Sequence, residues 1–201
     1  MKERPILFSG EMVRAILNGT KTQTRRIMKL QPISCIKHSE PFLIMYGKEN
    51  ANRQEWTKRC PYGVPGDRLW VKETFRPFED DEIGTCIQYR VDMTRRKPIW
   101  RGEQQGWKAE QDAMNIDHWK PSIFMQREFS RITLEVTGVR VEQVQDIGEA
   151  DARAEGVSNL PRKLASHREL YYELWTKING ADSWEANPWV WVIEFKRRVA
   201  P

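Results

Sequence analysis

Gly19-Thr20-Lys21-Thr22-Gln23-Thr24-Arg25-Arg26 is the stretch of this 201-residue chain whose residue types and spacing could do chemistry. A lysine and a threonine three positions apart can bring an amine beside a hydroxyl. If burial or a neighbouring cation lowers the lysine pKa, the amine can deprotonate Thr24 for nucleophilic attack. Arg25 and Arg26 would then hold phosphate or depress that pKa further. The other reading is a basic strand that grips phosphate and performs no chemistry, and on spacing alone it is the stronger of the two. Other chemistries have less behind them. Cys35-x-x-His38 has ligand spacing and Cys60 follows, but zinc needs three or four converging ligands, usually as two pairs, and no metal site is assigned. His118 and His167 have no partner at useful spacing. Dinucleotide, P-loop and nucleophile-elbow patterns do not occur, and no cofactor is implied.

The elements that must position this segment can be read around it. Pro5-Ile6-Leu7-Phe8 is a short strand, and Ser9 caps a helix whose apolar face is Met12, Val13, Ile16 and Leu17, stopped by Asn18-Gly19. If residues 20–27 are extended, Thr22, Thr24 and Arg26 share one face and Lys21, Gln23 and Arg25 the other. Residues 30–64 form a long insertion rich in proline and glycine, with a short strand at 42–46. Pro65-Gly66-Asp67 is a turn that feeds a strand over Leu69–Phe75, and Cys86–Val91 alternates as a half-buried strand. A second insertion spans about 94–130. Its Trp100, Arg101, Trp107 and Lys108 interleave cation and aromatic as in single-strand binding, or form a lid that tucks its tryptophans into apolar ground. Arg131–Thr137 alternates and continues through Val139–Glu142, with Gly138 marking a bulge. Ile147–Gly156 is a short helix, Ser166–Ile178 a longer one with a Ser166/Glu169 capping box, and Trp189–Phe195 a closing strand. Five or six strands with three short helices and no regular βα alternation predict one α+β domain over 1–201, built on a small mixed barrel.

Composition bounds the function. The charge is +5, from 33 basic and 28 acidic residues, and mean hydropathy is −0.71. Residues 1–30 hold seven Lys/Arg against two Glu, whereas residues 131–160 hold three against six. A local basic site of this kind attracts nucleic-acid phosphate through counterion release. No apolar run is long enough to span a membrane, and no signal-peptide pattern opens the chain, so a cytoplasmic protein without an evident obligate partner is expected. Nine tryptophans exceed ordinary usage; most should be core, and a few could stack on bases.

The segment Gly19-x-Lys21-x-x-Thr24-x-Arg26, followed by Gly66-Asp67-Arg68-Leu69-Trp70-Val71-Lys72-Glu73, resembles the ASCH domain family of the PUA-like β-barrel superfamily. The block from Cys60-Pro61-Tyr62-Gly63 to Glu73, the Arg131-Ile132-Thr133-Leu134 strand and Asn187-Pro188-Trp189-Val190-Trp191 are similar to the longer phage and prophage members. The resemblance therefore covers most of the chain outside the insertions. It implies a nucleoside or nucleic acid, RNA ahead of DNA, bound in a cleft beside the barrel through Lys21, Arg25, Arg26 and Arg131, with Trp70 as a stacking wall. Many members carry glutamate at the Thr24 position. A compact bacterial subgroup with threonine there hydrolyses N(4)-acetylcytidine, and likeness to it implies Lys21 as general base, Thr24 as nucleophile and Glu73 as proton donor. That subgroup is much shorter than this chain and lacks its insertions. A non-catalytic binder of nucleic acid or a modified base, or an RNA-cleaving enzyme, remains the alternative.

Overall fold

The computed structural model describes residues 1–31, 43–45, 48–50, 56–80, 84–96, 118–157 and 166–198. The strands are β1 (Glu3–Leu7), β2 (Gln23–Ile27), β3 (Leu43–Met45), β4 (Lys48–Asn50), β5 (Arg68–Lys72), β6 (Phe75–Asp80), β7 (Gly84–Tyr89), β8 (Arg95–Arg96), β9 (Thr133–Gln143) and β10 (Trp189–Arg198). The helices are α1 (Gly10–Leu17), α2 (Glu149–Ala154) and α3 (His167–Asn179), with short 3₁₀ turns between elements. The chain is α+β. Its main sheet runs β1-β5-β9-β10-β2, with β3-β4 and β6-β7-β8 as separate sheets. In the main sheet β1 and β5 are parallel and the remaining pairs antiparallel.

Local signals account for most of these elements. Ser9 Oγ accepts the Met12 N–H at the start of α1, and the helix buries Val13, Ala15 and Ile16. Ser166 and Glu169 close the expected capping box on α3. Gly138 explains the long β9–β10 ribbon: it lies opposite Glu194, the register shifts there, and a Cβ at Gly138 would come within 2.5 Å of Glu194 Oε2. The strand bulges there, and a side chain at 138 would have to displace the Glu194 carboxylate. Apolar residues on both faces of β10 serve two cores. Trp191, Ile193 and Phe195 pack with Ile6, Phe8, Val13, Leu69 and Leu134, while Val190 and Val192 pack under α2 and α3 with Leu170, Tyr171 and Trp175.

Among the described residues β1 and β2 are the two ends of the main sheet, joined by a side chain where Arg26 Nη2 donates to the Leu7 carbonyl at 2.6 Å. Two expectations are corrected. The strand over 69–75 is two strands, because Phe75 leaves the main sheet to pair with Tyr89, and Glu73-Thr74 falls in the break. The insertions also have ends that belong to the fold. Trp56 and Cys60 are buried in the first core, with Trp56 edge-on to Trp189, and Met125 and Phe129 pack on Phe75, Ile87 and Tyr89. Cys35, His38, Trp100, Arg101, Trp107 and Lys108 lie outside the described residues. Among the described residues no helix is long and apolar enough to cross a membrane.

Asp67 ties the parallel pair together. Its carboxylate accepts the Lys2 N–H and the Arg4 guanidinium, each at 2.7 Å, and the Val64 N–H at 3.4 Å. The Lys2 N–H and the Arg4 guanidinium hold its pKa at about 2. A depressed carboxyl stabilises the fold fully above its unfolded value of about 4, and this contribution disappears as pH falls to about 2. Asp67→Asn should therefore be less stable than wild type at pH 5, with the gap in urea midpoint closing by pH 2. Parallel curves across that range would sink this account.

Candidate functional site

Lys21 sits where α1, β2 and the end of α2 meet. Asn18 and Gly19 (φ +76°) end α1, and the Thr20 and Lys21 N–H groups both donate to the Ala15 carbonyl. Lys21 then forms an isolated antiparallel bridge with Glu155, while Thr22 N–H donates to the Ala154 carbonyl at 2.8 Å. Gly156 makes this junction possible. It has φ +81°, and a Cβ there would lie 2.9 Å from the Cβ atoms of both Ala15 and Lys21.

The Lys21 side chain is fully buried. Nζ donates to the Glu155 carbonyl at 2.9 Å and to Glu155 Oε2 at 2.8 Å, and lies 5.7 Å from the centroid of the Phe8 ring. Burial lowers its pKa, Glu155 opposes that shift, and Arg26 and Arg25 add to it. Arg25 holds Glu155 from the other side. Its Nη1 donates to Glu155 Oε1 at 3.1 Å, Nη2 to Asp151 Oδ2 at 2.9 Å, and Nε to Glu142 Oε1 at 2.9 Å, with a further short Nη2 contact to Glu142. Arg140 continues the chain of alternating charge to Asp151, Glu142 and the more exposed Glu194.

The two faces of β2 divide as extended geometry requires. Lys21, Gln23 and Arg25 all bond α2, Gln23 through the Asp151 carbonyl. Thr24 lies opposite Ile193 and Arg26 opposite Trp191, whose side chains belong to the first core. Thr24 is buried, and Arg26 is half-buried with its guanidinium 5.2 Å from the Phe8 centroid. At the open edge of β2 a cleft of about 100 Å³ runs between this strand and α3, lined by Thr24, Arg26, Glu155, Tyr171, Trp175 and Ile178 among others. It is smaller than the pockets of roughly 300–1,000 Å³ that enclose whole ligands, so it suits an acyl group or part of a base.

Glu73 belongs to a second cluster. It follows the end of β5, as Phe8 follows the end of β1, and the last pair of those strands is Leu7 with Lys72. Arg131 grips it bidentately, Nε to Oε1 at 2.9 Å and Nη2 to Oε2 at 2.8 Å. Arg131 Nη1 also donates to Asp92 Oδ2 at 2.7 Å and to Thr94 Oγ1, and the guanidinium lies 4.1 Å from the Tyr89 ring centroid. Burial pushes the Glu73 pKa up, against the pull of Arg131.

Lys21 and Arg25 thus meet at Glu155, Thr24 and Arg26 lie on the opposite face of β2 and line the cleft, and Glu73 sits with Arg131 in a separate cluster. Two expected nucleic-acid ligands are otherwise engaged. Arg25 is buried among three carboxylates, and Arg131 is paired with Glu73 and Asp92, so neither offers phosphate an open guanidinium. Trp70 is half-buried against the Phe75 cluster, with Lys72 Nζ 5.6 Å from its ring centroid. Glu155, Glu142, Asp151, Phe8 and Asp92 were not singled out from sequence. The acidic excess over 131–160 is a signal for the first three, since it complements the basic excess over 1–30. The chain matches no family model, no curated protein and no solved structure.

Proposed function

We propose that this chain is a PUA-like protein of the ASCH type that hydrolyses an acylated cytosine amine of the N(4)-acetylcytidine class, with Lys21, Thr24 and Glu73 in the roles the resemblance implies. The observation that carries this reading is a fully buried lysine three residues before a buried threonine that lines a cleft. Neutral Lys21 takes the proton of the Thr24 hydroxyl, and the oxygen attacks the acyl carbon. The C–N bond breaks as the amine leaves with a proton from Glu73, in the acid form that burial favours and the pairing with Arg131 opposes. Water then hydrolyses the acyl-threonine ester, which releases the carboxylate and one proton and restores the Thr24 hydroxyl, while the proton held by Lys21 returns to Glu73. The cleft takes the acyl end, with Arg26 at its rim.

A second reading, a non-catalytic module for a modified base or RNA, is favoured by one contact: Lys21 Nζ donates to Glu155, not to Thr24. Incubation with N(4)-acetylcytidine, followed by chromatography for cytidine, separates the two. The expected result is release of cytidine and acetate by wild type and none by Thr24→Ala. Absence of turnover by folded wild type, with RNA binding that weakens steeply with salt, would replace hydrolysis by binding. Cleavage of labelled RNA that Thr24→Ala abolishes would make the chain a ribonuclease.

A further inference from the structure

The buried pair Lys21–Glu155 contains a carboxylate with no part in the chemistry above. A fully buried ammonium has few ways to keep its place, and here two of its three N–H donors go to one residue: the Glu155 carbonyl at 2.9 Å and Oε2 at 2.8 Å. The same residue is fixed from behind, because Arg25 Nη1 holds Oε1 at 3.1 Å and Arg25 is itself anchored on Glu142 and Asp151. Gly156, pressed against Lys21 Cβ, sets the backbone so that the Glu155 carbonyl and carboxylate reach the same amine. We infer that Glu155 is the positioning residue of Lys21: its carbonyl and carboxylate together aim the amine, with Arg25 acting through it. This inference rests on the hydrolytic reading only for its kinetic consequence.

The charged groups that face Lys21 are Glu155, just past the end of α2, and Arg25 and Arg26 from β2, which follows it, while Phe8 after β1 presents its ring and α1 the Ala15 carbonyl. Glu155 is therefore the anion that opposes the downward shift, and its removal leaves two cations and burial, all acting in one direction. Loss of an opposite charge at this distance moves a pKa by about 1–3 units. In Glu155→Gln the Lys21 titration should fall by that amount, and the limb on which turnover rises with pH should move to lower pH with it. The plateau should drop about 10²-fold, because the amine is no longer held in line. Glu155→Asp keeps the charge on a shorter arm, so its limb should lie nearer wild type than that of Glu155→Gln while its plateau still falls.

The experiment is an NMR titration of the Lys21 side-chain methylene signal, assigned by its loss in Lys21→Met, in wild type, Glu155→Gln and Glu155→Asp. It is run beside the pH–rate profile on N(4)-acetylcytidine and a thermal melt of each protein. A loss of folding alone would lower every rate without moving the limb. An unchanged Lys21 midpoint in folded Glu155→Gln overturns the inference, as does a moved midpoint with a stationary limb. If Glu155→Gln does not fold, Glu155→Asp decides: a plateau and a midpoint both equal to wild type overturn the inference. If wild type turns over no substrate, the hydrolytic reading falls and the NMR midpoints alone decide whether Glu155 governs the lysine.

Discussion

Replacing Arg131 by alanine is expected to lower the free energy of unfolding by about 3–5 kcal/mol at pH 7.5, the usual consequence of stripping one partner from a buried ion pair. Glu73 is almost completely buried and both its oxygens are held by Arg131, so the variant leaves a buried carboxylate beside Tyr89 without its cation. The carboxyl has an escape, which gives the prediction its shape: it can take up a proton. Burial already raises its pKa, and loss of the guanidinium raises it further. A folded pKa above the unfolded value of about 4.3 supplies stability that is complete below that value and lost as pH rises. The deficit relative to wild type should accordingly be small near pH 4.5 and grow towards pH 7.5, as read from urea midpoints at the two pH values. If instead Arg131→Ala leaves both midpoints unchanged and weakens RNA binding at low salt, Arg131 is a phosphate ligand after all and its pairing with Glu73 is incidental.

Lys21→Met is expected to reduce turnover of N(4)-acetylcytidine by about 10²–10⁴-fold, the range associated with losing a positioned general base. Methionine keeps the length and apolar character of the lysine stem, which is enclosed by Gly156, Ala15 and the Phe8 ring. Glu155 keeps its contact with Arg25, so the junction retains a cation for its carboxylate and the variant should still fold. The defect should lie in acylation. Acid quenching of wild type during turnover should reveal an acyl adduct by intact mass, absent in Thr24→Ala and greatly slowed in Lys21→Met. An adduct that forms at the wild-type rate in Lys21→Met would remove Lys21 from the chemistry and leave it as a structural partner of Glu155.

These two residues show where sequence was legible. The Lys21–Arg26 segment stands out because its charge is concentrated, and because alternation along an extended chain is a local property. The structure duly puts Lys21, Gln23 and Arg25 against α2. Helix caps at Ser9 and Ser166 and the glycine bulge at Gly138 were readable for the same reason, as each depends on neighbours within a few residues or on a single missing Cβ. What each arginine holds was not readable. Arg25 finds Glu142, Asp151 and Glu155 more than 100 residues away, and Arg131 finds Glu73 58 residues back, so free phosphate ligands and internal counterions look alike until the chain is folded.

By itself the sequence determined an α+β chain, the short strand–helix–strand unit that presents Lys21 and Thr24, and the bulge at Gly138. These follow from periodicity, capping and backbone sterics, which act over a few residues. Tertiary structure alone decided that Arg26 of β2 reaches back to the Leu7 carbonyl at the end of β1, that the strand breaks at Glu73 where Phe75 changes sheets, and that Lys21 is paired with Glu155. The physical reason is desolvation. A charge taken out of water must be met by an opposite charge or by hydrogen bonds, and which partner meets it depends on what the fold buries beside it.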